Sequence, residues 1–193
     1  MKQSTLPMTA KITTHAAILG AVMCLAVGMA AWAAAPAHQV MTLTSSAFAN
    51  HAFMPEQFTA DGMDISPPLA WSHIPRKAIS LVVVMIDPDA PGPLAFRPWM
   101  IVNIPPIAKG LPGNLPHTKR IANLPSARQG KNSFGQFGYG GPAPPAGPAH
   151  HYRIMLYALS RKLLFAPDCL PCLQHAMAGC ILAEATLHVR YGR

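Results

Sequence analysis

The run Ile79 to Ile86 constrains this chain more than any other segment. It is apolar except for Ser80, holds Val82-Val83-Val84 and Ile86 in succession, and stops at Asp87-Pro88-Asp89-Ala90-Pro91. Continuous apolar, β-branched character reads as a strand buried on both faces. A second segment matches it. Gly138-Tyr139-Gly140-Gly141-Pro142-Ala143-Pro144-Pro145 leads into His150-His151-Tyr152-Arg153 and the strand-like Ile154 to Leu159. Each segment sets polar groups where a buried strand meets a rigid Pro/Gly turn. That is how a β-domain builds a small-ligand pocket at its rim.

The 21 prolines and 14 glycines fall mostly between apolar runs, which favours many short strands over long helices. With 51% apolar and 11% charged residues the chain is no disordered polyelectrolyte. Its 193 residues suffice for one domain with a real core. The net charge of +8 comes from basic residues scattered singly or in pairs, as at Arg76-Lys77, Lys119-Arg120 and Arg161-Lys162. Without a basic block interleaved with aromatics, the charge reads as a solvated surface and not as a nucleic-acid interface.

Lys2 and Lys11 precede an uncharged, Ala-rich stretch from Ala16 to Ala35, and alanines recur at Ala31, Ala33, Ala35 and Ala37. This is the pattern of a secretory signal over residues 1–37, with exits after Ala37 or Ala33. The rival is an uncleaved anchor, since the stretch approaches the ~20 residues that span a bilayer. Met23 before Cys24 is too bulky for a lipoprotein cleavage site. The expectation is therefore a periplasmic or secreted domain over 38–193, with no stable membrane insertion after cleavage. Cys169, Cys172 and Cys180 then sit in an oxidising space. Cys169-Leu170-Pro171-Cys172 has redox-pair spacing but follows no βαβ pattern, and Leu173 stands where a haem attachment needs His. A structural disulfide within the trio is expected, one thiol being left over, with no oxidoreductase activity.

Along the domain, strands are expected at Met41 to Ser46, Leu69 to Trp71, Ile79 to Ile86, Trp99 to Ile104 and Tyr152 to Leu159. Phe58 to Gly62 reads as a strand end and turn. Lys109 to Gly138 lacks periodicity and predicts a long surface excursion. A short helix is expected over Leu170 to Ala178, stopped by Gly179. A helical turn from Ile181 to Ala185 should precede a last strand, Thr186 to Tyr191.

These motifs carry a family resemblance. Phe58-Thr-Ala-Asp-Gly62 with Ile65-Ser-Pro-Pro-Leu-Ala-Trp71, Asp87-Pro-Asp-Ala-Pro91, the Tyr139-Gly-Gly-Pro-Ala-Pro-Pro145 loop with His150-His-Tyr-Arg153, and Leu182-Ala-Glu-Ala-Thr186 with Arg190-Tyr-Gly-Arg193 together resemble the phosphatidylethanolamine-binding proteins, in their bacterial Raf-kinase-inhibitor-like branch. The resemblance implies a mainly β, antiparallel β-sandwich-like fold with short peripheral helices. It also implies a rim pocket for phosphate or phosphorylated headgroups, built here from Asp87, Asp89, Phe96, Tyr139, Gly141, His150 and Tyr152.

The chemistry of these residues agrees. Glycines around Gly141 would let backbone N–H groups approach an anion, His150 and Tyr152 are donors, and Asp87 can orient an imidazole. Asp87 and Asp89 also fit plain turn chemistry at a strand end. One departure bears on the ligand: relatives carry a pocket histidine where this chain has Pro98, and the neighbouring Arg97 should point to the opposite face. His151 stands where relatives usually have Arg, and Cys180 where they often have His.

The function expected is an exported, non-enzymatic binding or modulatory protein for a small anion, without cofactor or metal. Two other classes stand beside it. One is an extracytoplasmic inhibitor of a peptidase or other partner enzyme, acting through its surface; the other is a hydrolase using Asp87 and His150. No Gly-x-Ser-x-Gly elbow or His-Glu-x-x-His motif is present, and Ser66 and Ser133 lie in turn-like segments. A homodimer is left open.

Overall fold

A computed structural model describes residues 40–92, 95–167 and 169–193 of the chain. The expected leader over residues 1–37, with its cleaved and anchored alternatives, lies outside the described residues.

Among the described residues, nine strands form two antiparallel sheets. In chain order they are β1 (Thr42–Thr44), β2 (Leu69–Ser72), β3 (Ser80–Asp87), β4 (Phe96–Ile104), β5 (Gly110–Leu111), β6 (Arg120–Ile121), β7 (Leu124–Gln129), β8 (His150–Leu159) and β9 (Ile181–Tyr191). The small sheet runs β1-β2-β5 and the large one β6-β7-β4-β3-β8-β9. A 3-10 turn, Glu56–Phe58, and one helix, α1 (Leu170–Met177), complete the elements.

β3 is buried along its whole length, as its composition requires. Because alternate side chains leave a strand on opposite faces, its two sets enter two different cores. Leu81, Val83 and Met85 join Leu43, Leu69 and Trp71 of the small sheet and Ile154 and Leu156 of β8. Val82, Val84 and Ile86 pack on the other side with Met100, Val102, Leu163 and the α1 residues Leu173 and Met177. The small sheet and α1 thus cover the two faces of one strand.

Asn103 fixes the α1 side. Its backbone is left-handed (φ 59°), and its side chain donates to Leu163 O at 2.7 Å and accepts from Leu163 N at 2.8 Å. α1 ends where expected, at Ala178 before Gly179 (φ 71°), the conformation glycine adopts without penalty.

Three expectations need correction. Ile181 to Ala185 is not a helical turn but the first half of β9, paired with β8 from Leu159↔Ile181 to His150↔Tyr191. Ala183 and Ala185 alternate toward the core as Leu187 and Val189 do, but Leu-Ala-Glu-Ala scores as helix because alanine marks no face. Lys109 to Gly138 is not a strandless excursion: β5 joins the small sheet and β6 and β7 extend the large one. β4 starts at Phe96, before the expected Trp99. Its register slips between Met85↔Trp99 and Asp87↔Phe96, and this bulge accommodates Pro98, which has no N–H for a ladder.

Candidate functional site

The ends of β3 and β8 and the start of β4 meet at one rim of the large sheet. Asp87, the last residue of β3, is 3% exposed, and both its oxygens are engaged. Oδ1 accepts the backbone N–H of Asp89 at 3.0 Å, and Oδ2 lies 2.8 Å from His150 Nδ1. The turn reading and the site reading of Asp87 are therefore both realised, one by each oxygen. With Nδ1 engaged, Nε2 is the imidazole nitrogen left for a ligand. Tyr152, two residues along β8 and so on the same face, stacks near His150 with ring centroids 6.5 Å apart. Burial, then the charge of the neighbouring Asp87 carboxylate and the phenol's hydrogen bond to it, push the phenol far above the ordinary tyrosine range, so it stays neutral.

Phe96, opposite Asp87 in the ladder, supplies an aromatic wall with Phe134, their rings edge to face at 4.8 Å. Pro142 to Pro145 close the other side of a cavity of about 240 Å³. A larger groove of about 480 Å³ lies beside α1, but the rim cavity is the one that gathers Asp87, His150 and Tyr152. Four of the expected residues, Asp87, Phe96, His150 and Tyr152, thus line one pocket.

Three do not. Asp89 faces out beside the pocket, where Oδ2 accepts from His151 N and lies 2.8 Å from His151 Nδ1. The His151 backbone N–H and then its ring hold that carboxyl below the usual range. Tyr139 is a core pillar, 1% exposed, with its ring edge-on to Trp99 at 5.4 Å and its hydroxyl donating to Phe58 O. Gly141 gives its N–H to Asp64 Oδ1, and Gly140 gives its own to Pro98 O at 3.0 Å. The glycines serve close packing: a Cβ on Gly141 would lie 2.6–2.7 Å from backbone atoms of Thr59 and Ala60. The N–H groups of Gly140 and Gly141 are thus hydrogen-bonded inside the protein.

Pro98 is buried and outside the pocket lining. Arg97 reaches Lys131 O, in the groove next door. Ser66 Oγ and Ser133 Oγ accept the backbone N–H groups of Leu115 and Arg97 at 2.9 Å, and neither lines the pocket.

Sequence reasoning missed two arrangements. One is the His151–Asp89 pair. The other is the anchoring of the C-terminus: Arg193 donates to both oxygens of Asp61, and Tyr191 Oη donates to Oδ2 at 2.6 Å. The Arg193 bond, then the Tyr191 bond, lowers the Asp61 pKa. The partners are some 130 residues apart, so no local signal exists. Cys169 and Cys172 form the disulfide, while Cys180 is buried and free, its thiol donating to Met177 O at 3.1 Å. Among the described residues no group of three or more His, Cys, Asp or Glu could hold a metal, and no helix is long and apolar enough to cross a membrane.

Comparison with known proteins agrees with this architecture. The family model described as phosphatidylethanolamine-binding protein matches residues 44–192. A UPF0098 protein of Methanothermobacter thermautotrophicus is 40% identical over 158 residues, covering 79% of this chain and 99% of the relative. A Mycobacterium tuberculosis protein that carries the name lipoprotein LppC is 40% identical over 134 residues, 69% of this chain and 62% of that one. The crystal structure of Escherichia coli YbcL, described as a member of the mammalian PEBP family, superposes with a TM-score of 0.72 at 28% identity, over 80% of this chain and 99% of YbcL.

Proposed function

Since the chain belongs to the phosphatidylethanolamine-binding protein family, we propose that it is an exported, non-enzymatic binding protein that takes a small anion, phosphate or a phosphorylated headgroup, in the pocket at the ends of β3, β4 and β8. The observation that carries this reading is the 2.8 Å contact between Asp87 Oδ2 and His150 Nδ1. It fixes the imidazole and leaves Nε2 facing the ligand, where the imidazolium form donates to a phosphate oxygen. Tyr152 adds a neutral hydroxyl, and the Phe96 and Pro142–Pro145 walls suit the carbon portion of a headgroup. The cavity of about 240 Å³ is of headgroup size, well below a lipid with its chains.

Binding is weak by construction. With the Gly140 and Gly141 N–H groups used internally, the groups identified for the anion are one imidazole and one phenol, the phenol shared with Asp87. One charge-assisted bond contributes ~1.5–3 kcal/mol and a neutral one ~0.5–1.5, before the costs of association. The sum corresponds to a Kd of about a millimolar or weaker. Among the described residues no Ser, Thr or Cys lines the pocket as a nucleophile for the Asp87–His150 pair, which supports binding over covalent catalysis. Export is supported by the leader pattern of residues 1–37 and by the lipoprotein name of the LppC relative.

Titration of the protein with phosphate and phosphoethanolamine, followed by NMR shifts, tests the proposal. His150→Ala should lose roughly tenfold or more in affinity. A Kd that His150→Ala leaves unchanged would place the ligand elsewhere.

A further inference from the structure

The disulfide and the groove beside α1 take no part in the rim pocket. Cys169 is the N-cap of α1, and its sulfur accepts the backbone N–H of Cys172 at 3.0 Å. Cys169 is half-buried, whereas Cys172 is exposed and lines the groove of about 480 Å³. On the same groove Leu164 is 99% exposed and Phe165 64%, an unusual pair of bare apolar side chains side by side. Arg161, Lys162 and His175 line it too, and no carboxylate does among the described residues. A reactive sulfur, an apolar floor and a cationic rim therefore converge at one place.

We propose that Cys169–Cys172 is an exchangeable disulfide through which this protein couples to a cysteine of a partner polypeptide, docked as an extended segment with apolar and acidic residues beside its thiol. The two sulfurs are chemically unequal. Cys172 is open to attack. Cys169 sits at the positive end of the helix with an N–H already aimed at its sulfur, which favours a thiolate there. A good leaving thiolate speeds exchange. The partner thiol gives its proton to solvent and its thiolate attacks Cys172 Sγ. The Cys172–Cys169 bond breaks, the electron pair leaves on Cys169 Sγ, and a Cys172–partner disulfide forms. Attack by Cys169 on Cys172 reverses the step and releases the partner, so no external oxidant or reductant is needed.

Arg161 and Lys162 select for carboxylates near the partner cysteine, and Leu164 and Phe165 hold its apolar neighbours. Arg161 is itself steadied by its bond to Ala176 O, 3.1 Å away at the end of α1. The reaction couples two chains without turnover. It replaces the expectation of a purely structural bridge, and it is independent of the rim pocket.

The test uses the oxidised full-length protein and two probe peptides, acetyl-Glu-Leu-Cys-Phe-Glu-amide and its Lys-Leu-Cys-Phe-Lys counterpart. Exchange is quenched with N-ethylmaleimide and mapped by mass spectrometry. The peptide should appear on Cys172 and the maleimide on Cys169. The acidic peptide should react about fivefold or more faster than the basic one, as expected when charge steers encounter. Lys162→Glu should remove most of that preference while leaving the rate with 2-mercaptoethanol within about twofold. Cys169→Ser, in which serine still caps the helix but no disulfide is left to attack, should take up neither free peptide; given the acidic peptide as its mixed disulfide with 2-thiopyridine, it should hold the peptide on Cys172 without release, thiopyridone leaving. An adduct on Cys169, or equal rates for both peptides, would overturn the assignment, as would a bridge that neither peptide opens.

Discussion

Replacing Gly141 by alanine separates a glycine kept for a ligand from one kept for packing. The added Cβ would sit 2.6 Å from Thr59 C and 2.7 Å from Thr59 Cα and Ala60 N, where ordinary contact begins near 3.4 Å. These are backbone atoms, so no side chain can rotate away and the two segments must part by roughly 0.7–0.8 Å. Overpacking of this kind costs about 1–3 kcal/mol. The separation also strains the Gly141 N–H bond to Asp64 and the Ala60 N–H bond to Pro142 O, adding about 1–2 kcal/mol if one of them fails. A loss of about 2–5 kcal/mol in a domain of this size lowers Tm by roughly 4–20 °C. Circular dichroism melts of the variant measure this directly. Gly113→Ala is the comparator, its nearest neighbour, Ser66 O, being 3.3 Å away, and it should move Tm by about 2 °C or less. A Gly141→Ala melt no lower than that of Gly113→Ala would refute the packing argument and return Gly141 to the ligand.

Asn103→Ala removes both bonds to Leu163 and places alanine at φ 59°, so urea unfolding should show a loss of about 2–4 kcal/mol. Asn103→Gly, which tolerates that backbone, should lose less. Burial first, then His51 and Arg153, depress the His188 pKa in the folded state, so the unfolded chain binds more protons there. Stability from this site is complete above the ordinary histidine pKa of about 6.5 and falls as pH drops below it. His188→Gln should flatten that part of the pH–stability curve, and a steeper decline would reverse the sign argued here. Protein recovered from the cell envelope should begin at His38, or at Ala34 for the earlier exit, as read by N-terminal sequencing. An intact Met1 would favour the anchor.

Legibility from sequence followed the reach of each interaction. β3 declared itself because six consecutive apolar residues need no partner to be recognised. Asp87, Phe96, His150 and Tyr152 were legible because strand ends and a family motif place them together. Tyr139 and Gly141 belong to the same motif, yet they are committed to Phe58, Thr59 and Asp64, about 80 residues earlier. Sequence adjacency to a pocket does not reveal such commitments. Ala183 and Ala185 hid half of β9 because a strand face made of alanine shows no period. The hairpin of β6 and β7 was hidden by Pro125 and by Gln129, whose buried amide accepts from Trp99 Nε1 and donates to Pro116 O and Thr118 O.

β3 also poses a hazard before the fold exists. Leu81 to Ile86 carries no charge and no proline, the composition that lets strands from different chains pair and aggregate. In the finished protein β4 and β8 occupy both of its edges. β8 is supplied some seventy residues later in the chain, so the segment waits unpaired on that edge during synthesis. Arg76-Lys77 stand just before it, and Asp87, Pro88, Asp89 and Pro91 close it, a pattern of flanking charges and prolines that keeps such segments apart. Asp87 is thus a gatekeeper of the unfolded chain as well as the residue that orients His150. A neutral substitution there should lower the yield of soluble protein before it alters any ligand.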